Sequence, residues 1–97
     1  MIKTALVTGA TSGIGKATAQ ILAQNNYKII LCGRREDRLE EIKKELSAFT
    51  EVHTLAFDVR DKKVVFESIN SVPEAFSRID VLINNAGNAH EIGRAHV

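Results

Sequence analysis

The sequence predicts an α/β protein built around a parallel β-sheet. Short apolar runs alternate with longer stretches in which apolar residues recur at the spacing of a helix. The apolar runs are nearly continuous, which is typical of strands that helices cover on both faces. Three successive strand–helix–strand units indicate right-handed crossovers and a single sheet.

Four apolar runs are the predicted strands, and three amphipathic stretches between them are the predicted helices. The strands are residues 5–7, 28–32, 52–57 and 80–83. The residues expected on the buried faces are Ile14, Ala17, Ile21 and Leu22 in the first helix, Leu39, Ile42, Leu46 and Phe49 in the second, and Val64, Val65, Ile69 and Val72 in the third. Asp61 is placed to cap the N-terminus of the third helix.

Composition excludes several classes of protein. The 97 residues leave room for one domain, and 13 basic against 12 acidic side chains argue against nucleic-acid or polybasic membrane binding. A single cysteine, Cys32, excludes an internal disulfide and a multi-cysteine metal site, and we expect no metal. No apolar run is long enough to span a bilayer, and the N-terminus has no leader pattern, so we expect a soluble, cytoplasmic protein.

A glycine-rich turn directly follows the first strand and opens the first helix. At such a helix N-terminus, unpaired backbone N–H groups and the helix dipole favour an anion. Gly9 can adopt the backbone of a tight turn, Gly13 lets a pyrophosphate approach the main chain, and Gly15 lets the helix lie close to the strand. The residues expected to bind a dinucleotide here are Gly9, Thr11, Ser12, Gly13, Ile14 and Gly15, with Thr11 and Ser12 adding hydroxyl donors.

The end of the second strand is where the adenosine ribose of a dinucleotide would lie. Sites selective for NAD place an acid about 20 residues past the glycines, to bind the 2′-hydroxyl. This chain instead has Gly33, which leaves space, followed by Arg34 and Arg35, whose guanidinium groups can bind a 2′-phosphate. NADP is therefore the expected cofactor and NAD the less favoured one. The alternative is a pair of solvated surface arginines, and Arg38 could equally face solvent or pair with a glutamate of its own helix.

The spacing Gly-x-x-x-Gly-x-Gly, with Thr8 before it, resembles the TGxxxGxG motif of the short-chain dehydrogenase/reductase family. The resemblance runs from the first strand to about Ala89. It implies a Rossmann-type doubly wound parallel sheet, truncated here after the fourth strand. It also implies hydride transfer at a carbonyl or alcohol, and a parent protein that forms homo-oligomers.

Two further motifs extend the resemblance. Asp58 and Val59, after the third strand, resemble the family's adenine clamp. The alternative is that Asp58 is an ordinary aspartate at a strand end, leading into the helix cap at Asp61. The stretch Asn84-Asn85-Ala86-Gly87, after the fourth strand, matches the family's NNAG motif. There the resemblance implies that asparagine side chains hold neighbouring strand ends together, while the backbone of Asn85, Ala86 and Gly87 passes the ribose of the cofactor.

The family's catalytic Tyr-x-x-x-Lys motif is absent from this sequence. Its one tyrosine, Tyr27, is followed four positions later by Leu31, so we expect no catalytic residue in the chain. The leading interpretation is the N-terminal cofactor-binding fragment of an NADP-dependent oxidoreductase acting on a small alcohol, hydroxy acid or carbonyl. The motifs together resemble members that oxidise 3-hydroxy acids or serine-like substrates. The alternatives are a non-catalytic NADP-binding sensor or scaffold, and a short native product whose sheet is completed by an oligomer.

The last seven residues, 91–97, do not continue the loop-to-helix pattern that the fold needs. They correspond to an in-frame translation of GAG-ATC-GGA-AGA-GCA-CAC-GTC, which looks like a sequencing-adapter oligonucleotide. We therefore expect residues 1–90 to be the N-terminal part of an NAD(P)-binding domain and residues 91–97 to be a non-native tail.

Overall fold

The computed structural model describes residues 2–58, 62–76 and 78–84, and it contains the predicted elements in the predicted order. A short 3₁₀ helix, Glu74–Phe76, precedes the last strand. The strands are β1 (Thr4–Thr8), β2 (Lys28–Gly33), β3 (Val52–Ala56) and β4 (Val81–Asn84), and the helices are α1 (Gly13–Gln24), α2 (Glu36–Leu46) and α3 (Lys62–Asn70).

The four described strands form one parallel sheet in the order β3-β2-β1-β4. The chain moves outward from β1 to β3, and α3 then carries it back across to the other side of β1. The α/β class and the parallel Rossmann-type sheet are therefore confirmed. The strand order reverses next to β1, and open α/β sheets bind ligands at the carboxyl ends of the strands beside such a reversal.

Side chains of the sheet alternate between two apolar clusters, one on each face. The cluster beneath α1 and α2 contains Ala5 and Val7 of β1, while Leu6, between them, belongs to the cluster on the α3 face. Buried side chains from β2 continue both clusters, because Ile29 and Leu31 face α1 and α2 and Ile30 and Cys32 face the other way. Burial on both faces explains why the strands are continuous apolar runs.

The predicted buried face of α1 is wrong. Ile14 and Ile21 are 72% and 61% exposed, and Ala17 is exposed too, whereas only Leu22 of the predicted set packs against the core. The residues buried in α1 are small and four positions apart: Gly15, Ala19 and Ala23. Small side chains on this face let the helix lie close to the sheet, so the larger apolar residues are displaced toward solvent.

The other two helices follow the predicted pattern more closely. Leu39, Ile42 and Leu46 are buried beneath α2, but Phe49 lies beyond the end of that helix and is 52% exposed. On the opposite face, Val64 packs against the core, and so does Val72, although α3 ends two residues before it. The structure does not describe the side chains of Val65 and Ile69, which were predicted to be buried. It also does not describe Asp61, the predicted cap of α3.

The described helices are short. The longest of them, α1, has 12 residues, and none of those described has the length and apolar character needed to cross a membrane.

Candidate cofactor-binding site

The predicted site residues within the described chain gather at the carboxyl edge of the sheet. Thr8 ends β1, Gly33 ends β2 and Asn84 ends β4, and α1 begins just above them at Gly13. The glycine-rich turn is tied to the end of β2 by a 3.0 Å hydrogen bond that the Ala10 N–H donates to the Cys32 carbonyl oxygen. The turn and the arginine-bearing loop after β2 are therefore neighbours.

The turn itself is organised around the carbonyl oxygen of Gly9. Gly9 adopts φ 62°, the left-handed conformation that its role in a tight turn requires. Its carbonyl accepts hydrogen bonds from the Ser12 N–H at 3.1 Å and from the Ser12 hydroxyl at 2.8 Å. The same hydroxyl accepts from the Gly15 N–H at 3.0 Å, which makes Ser12 the N-cap of α1.

The capping role of Ser12 is one that our sequence interpretation missed, since we expected its hydroxyl to serve a ligand. In this arrangement the hydroxyl proton is directed at Gly9 instead. A serine immediately before a stretch of helical periodicity was the signal that could have revealed the cap.

Two N–H groups at the start of α1 remain open. Among the described residues, none accepts a hydrogen bond from the backbone N–H of Gly13 or Ile14. A Cβ placed on Gly13 would have no atom of the described residues within 4 Å, apart from its chain neighbours and its own helix backbone, so this side of the turn is open. The first turn of α1 carries no acidic residue that would oppose an anion. The helix start can therefore receive a phosphate group.

Gly15 provides the close approach between helix and strand that the sequence predicted. A Cβ at this position would overlap the carbonyl oxygen of Gly9 and lie 3.0 Å from the Cα of Ala10. Any side chain there would push α1 away from the turn, so the geometry of the anion-binding end depends on this glycine.

Arg34 and Arg35 lie on the exposed loop between β2 and α2, at the same edge as the glycine-rich turn. The Arg35 guanidinium is 3.5 Å from the Asp37 carboxylate, and its side chain is 63% exposed. Arg38, one turn into α2, lies 3.8 Å from Glu41 of its own helix, one of the arrangements expected for it. Two exposed guanidinium groups, one of them in contact with a carboxylate, thus follow the end of β2.

Asp58 and Asn84 complete the described part of this edge. Asp58 is half-buried directly after β3, and the neighbouring Phe57 N–H donates to the Gly33 carbonyl at 2.8 Å. The Asn84 side-chain oxygen accepts a 2.8 Å hydrogen bond from the Thr8 hydroxyl, which links the ends of β4 and β1. Four other predicted site residues lie outside the described part of the chain: Val59, Asn85, Ala86 and Gly87.

The Cys32 side chain is buried in the core, although its carbonyl oxygen belongs to this edge, and His53 lies near the amino end of β3. Cys32 is fully buried, and burial raises the pKa of its thiol to about 12, which leaves it uncharged and unreactive. The ring of His53 contacts that of Phe76, with the centroids 5.6 Å apart and the planes tilted by 35°. The described residues contain no group of three side chains that could hold a metal ion.

Comparison with known proteins identifies the family to which this chain belongs. The family model described as "short chain dehydrogenase" matches residues 3–96. The chain belongs to the short-chain dehydrogenase/reductase family.

Individual members of the short-chain dehydrogenase/reductase family are closely similar. Sulfoacetaldehyde reductase 2 of Chromohalobacter salexigens is 52% identical over 84 residues, which are 87% of this chain and 33% of that protein. Serine 3-dehydrogenase of Rhizobium radiobacter is 47% identical over 90 residues, 92% of this chain and 35% of the relative. The crystal structure of L-sorbose reductase from Gluconobacter frateurii, complexed with NADPH and L-sorbose, superimposes with a TM-score of 0.82 at 39% identity, over 89% of this chain and 34% of that one. The chain thus spans about a third of the length of the relatives it matches.

Proposed function

We propose that this chain is the N-terminal cofactor-binding part of an NADP-dependent oxidoreductase. The parent protein would transfer hydride between NADP(H) and a small alcohol, hydroxy acid or carbonyl compound. One observation carries the proposal: open backbone N–H groups at Gly13 and Ile14 lie at the same sheet edge as the exposed Arg34 and Arg35. Together they supply donors for two separate phosphate groups.

The start of α1 would hold the diphosphate of the cofactor. The N–H groups of Gly13 and Ile14 point out of the first helical turn, and the free space beside Gly13 admits phosphate oxygens close to the backbone. Thr11, half-buried in the same turn, could add its hydroxyl. Gly9 and Gly15 would act through the backbone, by keeping the turn tight and the helix close.

Arg34 and Arg35 would bind the 2′-phosphate that distinguishes NADP from NAD. A guanidinium presents a fork of donors suited to phosphate, and both arginines are exposed on a short loop where a ligand can reach them. The first acidic residue after β2 is Glu36, which follows both arginines in the chain and is the first residue of α2. The L-sorbose reductase structure, which contains NADPH, supports the same choice of cofactor.

The remaining contacts would come from the ends of β3 and β4. We propose that Asp58 and Val59 bind the adenine, with the carboxylate accepting from the exocyclic amine and the valine packing on the ring. Asn85, Ala86 and Gly87 would pass the ribose of the cofactor along their backbone. The Thr8–Asn84 hydrogen bond supports this placement, because it fixes the residue that leads into the latter stretch.

We propose that the catalytic groups belong to the part of the parent protein that follows this chain. NADP would supply or accept the hydride, and the described residues would orient it. The similar proteins are named for sulfoacetaldehyde, serine and L-sorbose, all small molecules with a carbonyl or hydroxyl group. A coding sequence with Tyr-x-x-x-Lys downstream would support an enzyme, and one without it would favour a non-catalytic NADP-binding protein.

Calorimetry on the parent protein tests the choice of cofactor. Replacing both Arg34 and Arg35 by Ala should weaken NADPH binding about tenfold or more, because charge-assisted hydrogen bonds are lost, and leave NADH binding little changed. Arg78→Ala is the matched control, since this exposed arginine precedes β4 at the opposite end of the sheet. A parent without affinity for NADPH, or a double variant that binds NADPH as tightly as the wild type, would refute the proposal.

Residues 91–97 are proposed to be a non-native tail after a domain part spanning residues 1–90. Sequencing the source DNA past codon 90 decides this, because native coding sequence without the adapter string would overturn it. We further propose a cytoplasmic, homo-oligomeric parent, which cell fractionation and light scattering can test.

A further inference from the structure

Gly33 is buried at the end of β2, in the region where sites selective for NAD carry an acidic side chain. Among the described glycines, only Gly9 has a positive φ. Gly33 therefore does not have the left-handed backbone that would require glycine. What restricts this position must be the space around it.

That space is closed by two side chains. A Cβ on Gly33 would lie 3.3 Å from Cδ2 of Leu39, which is tighter than ordinary carbon contacts, and 3.4 Å from Cγ2 of Thr11, which is the lower limit of such contacts. Both neighbours belong to parts of the chain that pack against the end of β2. Leu39 is fully buried beneath α2, and Thr11 belongs to the turn that the Ala10–Cys32 hydrogen bond holds against β2.

We infer that Thr11 and Leu39 are specificity-determining residues, which exclude an acidic side chain from position 33 and thereby oppose a change of cofactor from NADP to NAD. The inference rests on the proposed function and adds a second part to it. Arg34 and Arg35 attract the additional phosphate, whereas the Thr11 methyl group and the Leu39 side chain prevent the carboxylate that would bind a free 2′-hydroxyl. Thr11 thus acts through its methyl group, separately from any contact made by its hydroxyl.

A double-mutant cycle on the parent protein tests this inference through affinity for NADH. Gly33→Asp introduces the carboxylate, and Thr11→Ser removes the opposing methyl group while keeping the hydroxyl. Thr11→Ser should tighten NADH binding more in the Gly33→Asp protein than in the wild type. The two improvements in affinity should differ by a factor of about five or more.

Two controls separate the methyl group from other effects. Thr11→Val keeps a methyl group facing position 33 and loses the hydroxyl, so it should give no such gain. Thr18→Ser removes a methyl group farther along α1 while keeping the hydroxyl that donates to the Ile14 carbonyl, so it should give none either. Equal gains from Thr11→Ser and Thr11→Val would overturn the inference.

Gly33→Ala provides a readout that does not depend on any cofactor. It should lower the melting temperature of the parent, and adding Thr11→Ser should recover a substantial part of that loss, because contacting residues are energetically coupled. A Gly33→Ala protein that melts like the wild type would overturn the inference, as would Gly33→Asp binding NADH equally well with and without Thr11→Ser. If the wild-type protein binds NADPH, either of these results overturns only the inference about Thr11 and Leu39 and leaves the proposed function intact. A wild-type protein that binds neither NADPH nor NADH would instead refute the proposed function.

Discussion

Thr8 and Asn84, 76 positions apart in the chain, are joined by a 2.8 Å hydrogen bond from the Thr8 hydroxyl to the Asn84 side-chain oxygen. They are also register partners in the parallel pairing of β1 with β4. The hydrogen bond lies at the carboxyl edge of the sheet, beside the reversal in strand order. It therefore fixes two strand ends at the edge where the cofactor is proposed to bind.

Thr8→Val should destabilise the parent by about 1 kcal/mol, because a partly buried amide oxygen loses its hydroxyl donor. Chemical denaturation measures the change, and the same protein should bind NADPH less tightly. Thr8→Ser is the matched control, since it keeps the hydroxyl and loses only a methyl group. Equal stability of the Val and Ser variants would contradict a role for the hydrogen bond.

Gly15 and Gly13 should respond differently to the same substitution. Gly15→Ala should cost about 1–3 kcal/mol of stability, because its Cβ overlaps the Gly9 carbonyl oxygen and the turn must open. Gly13→Ala should leave the melting temperature close to that of the wild type, because its Cβ meets no described protein atom, yet it should weaken NADPH binding. Thermal melts with and without NADPH check both expectations. A comparable loss of stability in both variants would show that the turn is not packed as described.

The glycine-rich turn could be predicted from sequence because its requirements are local. The positive φ of Gly9 and the close approach at Gly15 follow from a strand, a turn and a helix that are adjacent in the chain. The buried face of α1 could not be predicted by the same reasoning. Apolar periodicity favours the larger residues, Ile14 and Ile21, whereas the short distance between helix and sheet selects small ones.

Contacts between separate loops were also beyond sequence reasoning. The approach of Thr11 to Gly33 depends on how the turn after β1 packs against the end of β2. The sequence indicated only that Gly33 leaves space for a phosphate. The structure shows that the direction of a side chain at this position is occupied by Thr11 and Leu39, which is a property of packing and not of a motif.

Cys32 should be inert toward thiol reagents while the protein is folded. Its side chain is fully buried, and burial raises the pKa of the thiol from 9.0 to about 12. The unfolded chain loses this proton above pH 9.0 and the folded protein retains it until about pH 12, so stability falls over that interval. The expected slope is about 1.4 kcal/mol per pH unit. Alkylation at pH 8 with and without denaturant tests the burial, and rapid labelling of folded protein would contradict it.

His53 should titrate below its ordinary pKa and should respond to one particular lysine. Partial burial lowers the pKa of its imidazole from 6.5, and the positive charge of Lys43 lowers it further. Because the folded state disfavours the protonated ring, the associated stability is present above pH 6.5 and is lost as the pH falls through the lowered value.

Lys43→Gln should therefore raise the pKa of His53 only part of the way back, since burial remains. Lys44→Gln, at the exposed neighbouring position of α2, is the control with the same change in net charge. Imidazole chemical shifts followed by NMR between about pH 4 and 8, a range that spans the ordinary histidine pKa, give both values. If the two variants shift the His53 pKa equally, the effect is one of net charge, and the proximity of Lys43 does not cause it.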